Sequence, residues 1–302
     1  MNEYKKVFHF VLFLLMMKLS FGQDYYSNFK KHFSSGDKQK QLETLEAWEI
    51  SEPENAELFT SYFNYYYFLS KKEVLSLGTS EPKSEAALEI KDDQNNTAGY
   101  LGSDIKYNPD ILEKAFAWID RGITLHPKRL DMRFGKIHAL GEAELWERFN
   151  SNIVQTIHHA ENIDYQWLWT NNEPYQGNKQ NFFSSIQDYQ LKLYNTGNDM
   201  LLKHMRTIAM VILEKKSDHV ESLSNLSITY LLEKKYEKAL EPLLTAEKID
   251  PKDPIILFNI AHAYKLMGDK ENSIAYYEKI IKLDDQKAAE YAKEQITALK
   301  KD

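Results

Sequence analysis

The stretch that decides the fold is Val220–Asp253, VESLSNLSITYLLEKKYEKALEPLLTAEKIDPKD. It places Leu223, Leu226, Ser227 and Tyr230 on one helical face, then Ala239, Leu243 and Ala246 on a second, and stops at Pro251. Two amphipathic segments of three to four turns joined by a short polar link predict a helical hairpin, and proline ends the second helix because it cannot continue one. A shift of 34 residues lands on Leu257, Ile260, Ala261, Tyr264, Ser273, Tyr277, Ile280 and Asp285. Large residues fall on large and small on small, so one packing solution is written twice. The small residues at 227, 239 and 261 let neighbouring helices approach, while Leu226, Tyr230, Leu243, Ile260 and Tyr264 fill the seam.

Working outward, the same frame is found near the start of the chain. Gly36-Asp37-Lys38 stands relative to Pro53 as Gly268-Asp269-Lys270 stands to Asp285. Phe29 and Phe33 lie before that turn, with Leu45 and Trp48 after it, which makes one hairpin of about 22–55. The next first helix, about 56–69, is crowded with Phe59, Tyr62, Phe63, Tyr65, Tyr66, Tyr67 and Phe68. Its partner helix is expected only at about 109–125, where Ala115, Ile119, Gly122 and Pro127 repeat the spacing of Ala239, Leu243, Ala246 and Pro251. An insertion of about 70–108 therefore splits this repeat. Its runs 87–91 and 100–107 alternate in hydropathy around Asp92-Asp93-Gln94-Asn95-Asn96, which predicts a β-hairpin.

Helices resume with Met132, Phe134, Ile137 and Leu140, then Trp146, Phe149, Ile153, Ile157 and Ala160. A loop insertion of about 165–179 carries Trp167, Trp169, Pro174, Tyr175 and Gly177, and two more helices, about 181–195 and 199–215, precede the clear repeats of 220–285. The last stretch, 286–300, is a polar helix with Ala289, Ala292, Ile296 and Leu299 facing inward. Such a cap closes an array whose final face has no neighbour.

The 34-residue register, with Leu226, Tyr230, Ala239 and Pro251 in place, resembles the tetratricopeptide repeat (TPR) family. The resemblance implies an all-α chain, a right-handed α-solenoid of helical hairpins with a small β-hairpin insertion, spanning 23–302. It also implies a concave groove lined by the first helices and used to hold a peptide or helix of another protein. In the family frame the groove positions are Glu221, Ser224, Ile228, Leu231, Ile255, Phe258, Asn259, His262 and Lys265, and on the aromatic helix Glu57, Thr60, Asn64 and Tyr67. Some members clamp a C-terminal carboxylate with paired Asn and Lys side chains. Asn259 fits one such position, but Ser224 and Ile228 stand where the first Lys and Asn belong, so the full clamp is absent.

Composition narrows the functional classes. The 302 residues are 43% apolar and 27% charged, enough to bury a sizeable core. A net charge of −7 disfavours a phosphate backbone, so nucleic acid is not an expected partner. Absence of cysteine removes disulfides, thiolate metal sites and thiol nucleophiles together. Residues 1–22 join Lys5 and Lys6 to an apolar run, Val7–Met17, and end with Ser20 and Gly22 before Gln23. That is the pattern of a secretory signal peptide, predicting an exported protein with no stable membrane insertion after cleavage, periplasmic first and secreted second.

No phosphate loop, nucleophile elbow or HExxH pattern occurs. The Ser-x-x-Lys matches at Ser27, Ser35, Ser80 and Ser103 lack the companion elements of a serine acyl-enzyme. His158, His159 and Glu161 carry metal-ligand chemistry, but adjacent helical residues point about 100° apart and zinc needs three or four ligands. Neither catalytic residues nor a metal or cofactor is expected. The sequence thus predicts a non-enzymatic scaffold or assembly factor of the cell envelope. The alternative is an envelope glycan- or peptide-binding accessory protein using Trp167, Trp169 and Tyr175 as a stacking platform.

Overall fold

The computed structural model describes residues 25–79 and 88–301, and the expected signal peptide lies outside them. Its contacts divide the chain into two compact units. One takes the chain up to Leu145 together with Gln166–Gln176, and the other takes Trp146–Tyr165 and everything from Gly177.

The first unit opens with helix α1, residues 25–34, and α2, Lys38–Ser51. Between them Gly36 adopts φ +72°, a left-handed turn that glycine enters without penalty. Asp37 then caps α2 by accepting the Lys40 backbone N–H at 3.1 Å. Phe29, Leu45 and Trp48 bury against α3, Ala56–Ser70, through Leu58, Tyr62 and Tyr65. Helix α4, Pro109–Leu125, packs along α3 as the partner that the spacing anticipates. Tyr62 stacks on Trp118 with ring centroids 3.8 Å apart, and Gly122 lets the helices close. A Cβ there would stand 2.7 Å from Phe59 Cβ. Helix α5, Leu130–Glu142, completes the helical part of this unit.

The insertion differs from expectation. It holds three strands, β1 (Lys71–Gly78), β2 (Leu88–Lys91) and β3 (Thr97–Tyr107), in an antiparallel sheet of order β1-β3-β2. The β2–β3 hairpin turns at Asp92, whose carboxylate accepts the Gln94 and Asn96 backbone N–H groups at 2.9 and 2.8 Å. Strand β1 escapes a reading by alternation, because Lys71-Lys72-Glu73 continues the polar face of a helix and Val74-Leu75 breaks the period of two. It is held by long-range pairing with β3, from Lys71↔Tyr107 to Gly78↔Tyr100. The insertion leaves and returns at one point, where the Asn108 N–H donates to the Ser70 carbonyl at 2.8 Å.

The second unit runs α6 (Trp146–Asn162), α7 (Lys179–Asn195), α8 (Leu202–Lys215), α9 (Val220–Leu232), α10 (Tyr236–Ile249), α11 (Pro254–Leu266), α12 (Lys270–Ile281) and α13 (Gln286–Lys301). Helices α9 to α12 are the two clear repeats. Leu223, Leu243, Ala246, Ile256 and Ile260 form one core cluster, and Leu257, Ala261, Tyr277 and Ile280 form the next with Ala292 and Leu299 of α13. Gly268 at φ +79° and the Asp269 cap reproduce the Gly36–Asp37 turn. The small position is used as the pattern requires: Ser273 is fully buried and its hydroxyl donates to the Ala261 carbonyl at 2.9 Å, holding α12 on α11.

Candidate functional site

The first helices of the C-terminal repeats sit side by side and are tied by polar side chains. Asn259 of α11 donates to Ser224 Oγ of α9 at 3.3 Å, and Lys265 of α11 donates to Gln295 of α13 at 3.0 Å. One hairpin earlier, Asn225 of α9 donates to Gln187 and to Gln190 of α7, the latter at 3.1 Å, and Gln190 is anchored by the Met205 carbonyl at 2.9 Å. Amide and hydroxyl groups thus form a row across α7, α9 and α11, which the Lys265 ammonium extends to the capping helix α13, a pattern that can bind a peptide backbone.

Of the expected groove residues, Glu221, Ile255 and His262 are exposed, and Ser224, Ile228, Leu231, Phe258, Asn259 and Lys265 are half-buried. Ile255, 64% exposed on the first turn of α11, is an apolar contact open to a ligand. Phe258 is braced edge-on by Tyr277 and Tyr291, with centroids 6.0 and 5.1 Å away. Partial desolvation and the Lys265 ammonium both hold the His262 imidazole below its usual pKa, so it presents a neutral ring at pH 7. The spacing argument missed Gln187, Gln190, Asn225, Tyr291 and Gln295. For Gln187, Gln190 and Gln295 the signal was an amide on a helix outside the two clear repeats, while Asn225 lies inside them next to the expected Ser224.

At the loop end of the same unit, a cavity of about 310 Å³ is lined by Gln180, Lys216, Asp218, His219, Glu221 and Asp253 among others. The buried His219 caps α9, its Nδ1 lying 2.9 Å from Ser222 Oγ, and burial lowers its pKa. Asp253 is occupied in capping α11 through the Ile255 and Ile256 N–H groups.

On the aromatic helix two of the four groove positions, Glu57 and Tyr67, are covered within its own unit. Asn64 is half-buried. Tyr67 is 5% exposed, its hydroxyl 3.3 Å from that of Tyr107 on β3 and its ring under the Lys71 ammonium. Glu57 is buried, accepting from Arg129 at 2.8 Å and from the Asn171 backbone N–H at 2.6 Å, and Thr60 donates to the Glu57 carbonyl. Tyr67 and Glu57 therefore leave the set of partner-contacting residues. The insertion covers one end of this face and the tryptophan loop covers the other, a long-range contact that no local spacing reports.

The tryptophan loop divides in the same way. Its backbone pairs through Leu168 with both Arg129 and Pro174. Trp167 is 3% exposed under the Arg133 guanidinium, which pins the loop. Trp169, 38% exposed, and the half-buried Tyr175 face each other with centroids 5.4 Å apart. The platform expected from three aromatics thus reduces to two. Arg133 donates to the Pro127 carbonyl and meets no carboxylate among the described residues, and burial lowers its pKa to about 10. His158 and His159 gather no ligand set, as no group of three or more His, Asp or Glu placed to hold a metal exists among the described residues. Glu161 instead accepts from Tyr165 and faces Lys179 at 3.8 Å.

A row of helical hairpins with polar first-helix faces defines a protein-interaction scaffold, a class that generally carries no catalysis. Residues 229–268 match one TPR model and 255–287 match another, so the segment 229–287 consists of tetratricopeptide repeats. No curated protein sequence matches it. Among solved structures it is similar to YrrB, a TPR protein with an unusual peptide-binding site, at 13% identity over 83% of this chain and 97% of that one, TM-score 0.40. It is also similar to a TPR protein from Parabacteroides merdae at 14% identity, covering 92% and 90%, TM-score 0.36. A third is PilF of Pseudomonas aeruginosa, at 8% identity, 92% and 99%, TM-score 0.35.

Proposed function

We propose that this protein is an exported, non-enzymatic assembly factor of the cell envelope, periplasmic rather than released, that holds a peptide or helix of a partner protein on the first helices of its C-terminal repeats. The observation that carries the reading is the row of side-chain amides and hydroxyls from Gln187 through Asn225 and Ser224 to Asn259, with Ile255 open beside it. Neutral polar groups in a row recognise a main chain, while Ile255 and the braced Phe258 supply apolar contact. The signal-like N-terminus supports export, and the net charge of −7 disfavours a nucleic-acid partner.

The test is a pull-down from envelope extract with the chain from Gln23 to Asp302, read by mass spectrometry, beside Ile255→Glu and Asn259→Ala forms. One abundant protein retained by the parent and lost from both variants, with thermal unfolding unchanged, supports the reading. Equal retention by all three forms removes the groove from it.

A second reading, a glycan-binding accessory, rests on the exposed Trp169–Tyr175 pair. It requires that envelope oligosaccharide quench tryptophan fluorescence in the parent and not in Trp169→Ala.

A further inference from the structure

The inserted sheet has a face and an edge that the repeat architecture does not use. Its pairing register puts Leu75, Leu77, Leu101 and Ile105 on one side with Leu88 and Ile90. Leu75 is 76% exposed, Leu77 72% and Leu88 65%. A three-stranded sheet needs a covered apolar face for independent stability, and here, among the described residues, most of the aliphatic side is exposed.

The two edges are treated differently. The β2 edge is four residues long and carries a register shift at Ile90/Lys91, both devices that discourage further pairing. The β1 edge is eight residues long, pairs with β3 residue for residue without a bulge, and contains no proline. Among the described residues β1 pairs on one side only. Packed face to face, the sheet is too small to hold a second copy of the chain. Three strands at roughly 4.8 Å spacing and eight residues at roughly 3.3 Å rise give on the order of 400 Å², whereas a stable interface buries about 800 Å² from each partner.

We propose that β1 accepts an extended segment of a partner protein as a fourth strand, and that the chemistry of β1 sets the sequence of that segment. Along its apolar side β1 presents Lys71, Glu73, Leu75 and Leu77 in turn. Neighbouring strands match across the ladder, aliphatic beside aliphatic and opposite charges paired. A segment running antiparallel to β1 therefore carries aliphatic, aliphatic, basic and acidic residues at alternate positions, with polar residues between them. Backbone pairing to the open edge supplies affinity and the alternate side chains supply selectivity. This site is separate from the groove of the preceding section.

The experiment uses the chain from Gln23 to Asp302 and an end-blocked, fluorescein-labelled peptide, Ile-Thr-Val-Thr-Lys-Thr-Glu, read by anisotropy and by amide hydrogen exchange. A second peptide replaces the lysine with glutamate. The parent chain is expected to prefer the lysine peptide about fivefold and Glu73→Lys to prefer the glutamate peptide by a similar factor, with new exchange protection on β1. Leu77→Lys loses both peptides without a change in far-UV circular dichroism, and Ile255→Glu changes neither. Binding by neither peptide, or a preference that does not invert in Glu73→Lys, overturns the proposal. So does a parent dimer in sedimentation that Leu77→Lys makes monomeric, because the occupant is then a second copy.

Discussion

Arg129 is a buried cation whose role is set by its contacts. Its guanidinium is fully buried and donates to Glu57 at 2.8 Å, to both Asp131 oxygens at 2.8 Å and to Asn172 at 3.2 Å. Breaking a buried ion network from one side leaves the other charge stranded, so Arg129→Met is expected to lower unfolding free energy in urea by about 3–5 kcal/mol. Faster proteolysis at 166–176 should accompany it, because Asn171 and Asn172 are held through Glu57 and Arg129. Two other buried groups set a pH dependence. His204 and His219 are 3% and 2% exposed, and burial lowers both pKa values. Glu147 opposes this at His204 while Lys203 adds to it, and at His219 Glu221 and Asp218 oppose it while Lys216 adds. The native state therefore binds fewer protons than the unfolded chain just below pH 6.5, and stability rises with pH up to that value and falls beneath it. Urea midpoints at pH 7.5 and 5.5 should show the loss, and His204→Gln with His219→Asn should shrink it. The titration of both depends on burial by other segments, which local spacing does not report.

At the scale of elements, packing positions were readable because a helix hairpin encodes its contacts at fixed intervals. Gly122 falls on the small position of the repeat, and in the fold its missing Cβ is what admits Phe59 and Met132. Gly122→Ala should cost about 1–3 kcal/mol by overpacking, readable as a lower thermal midpoint with native far-UV signal. If the midpoint rises instead, the helix-propensity gain of alanine outweighs the clash. The insertion was legible in position and in its β2–β3 hairpin, but not as three strands, because β1 is specified by pairing with a strand over twenty residues away. Its closed neck at Ser70 and Asn108 makes a further outcome definite. Replacing 71–107 with a short glycine-rich link should leave α3 against α4, with helical ellipticity kept and the urea midpoint lowered only by the exposure of Tyr67, worth about 1–3 kcal/mol. A collapse of that midpoint would mean that the sheet supports the helices.

For the whole molecule, no helix among the described residues is long and apolar enough to cross a membrane. Stability is expected to be spread over the repeats, because each hairpin buries its apolar face against its neighbours. Helix α13 is the end of that arrangement: Ala292 and Leu299 close a cluster with Leu257, Ala261, Tyr277 and Ile280. Truncation after Asp285 should expose those four residues and convert a monodisperse protein into an aggregating one in light scattering. The sequence by itself determined the hairpins, their 34-residue register, the places where chain was inserted and the polar cap, since all of these follow from contacts a few residues apart. Only the tertiary structure decided that Glu57 and Tyr67 are covered on the aromatic helix, that Trp167 is a pin while Trp169 is presented, and that β1 pairs on one side only among the described residues. Each of those depends on which distant segments meet, and side-chain periodicity carries no information about that choice.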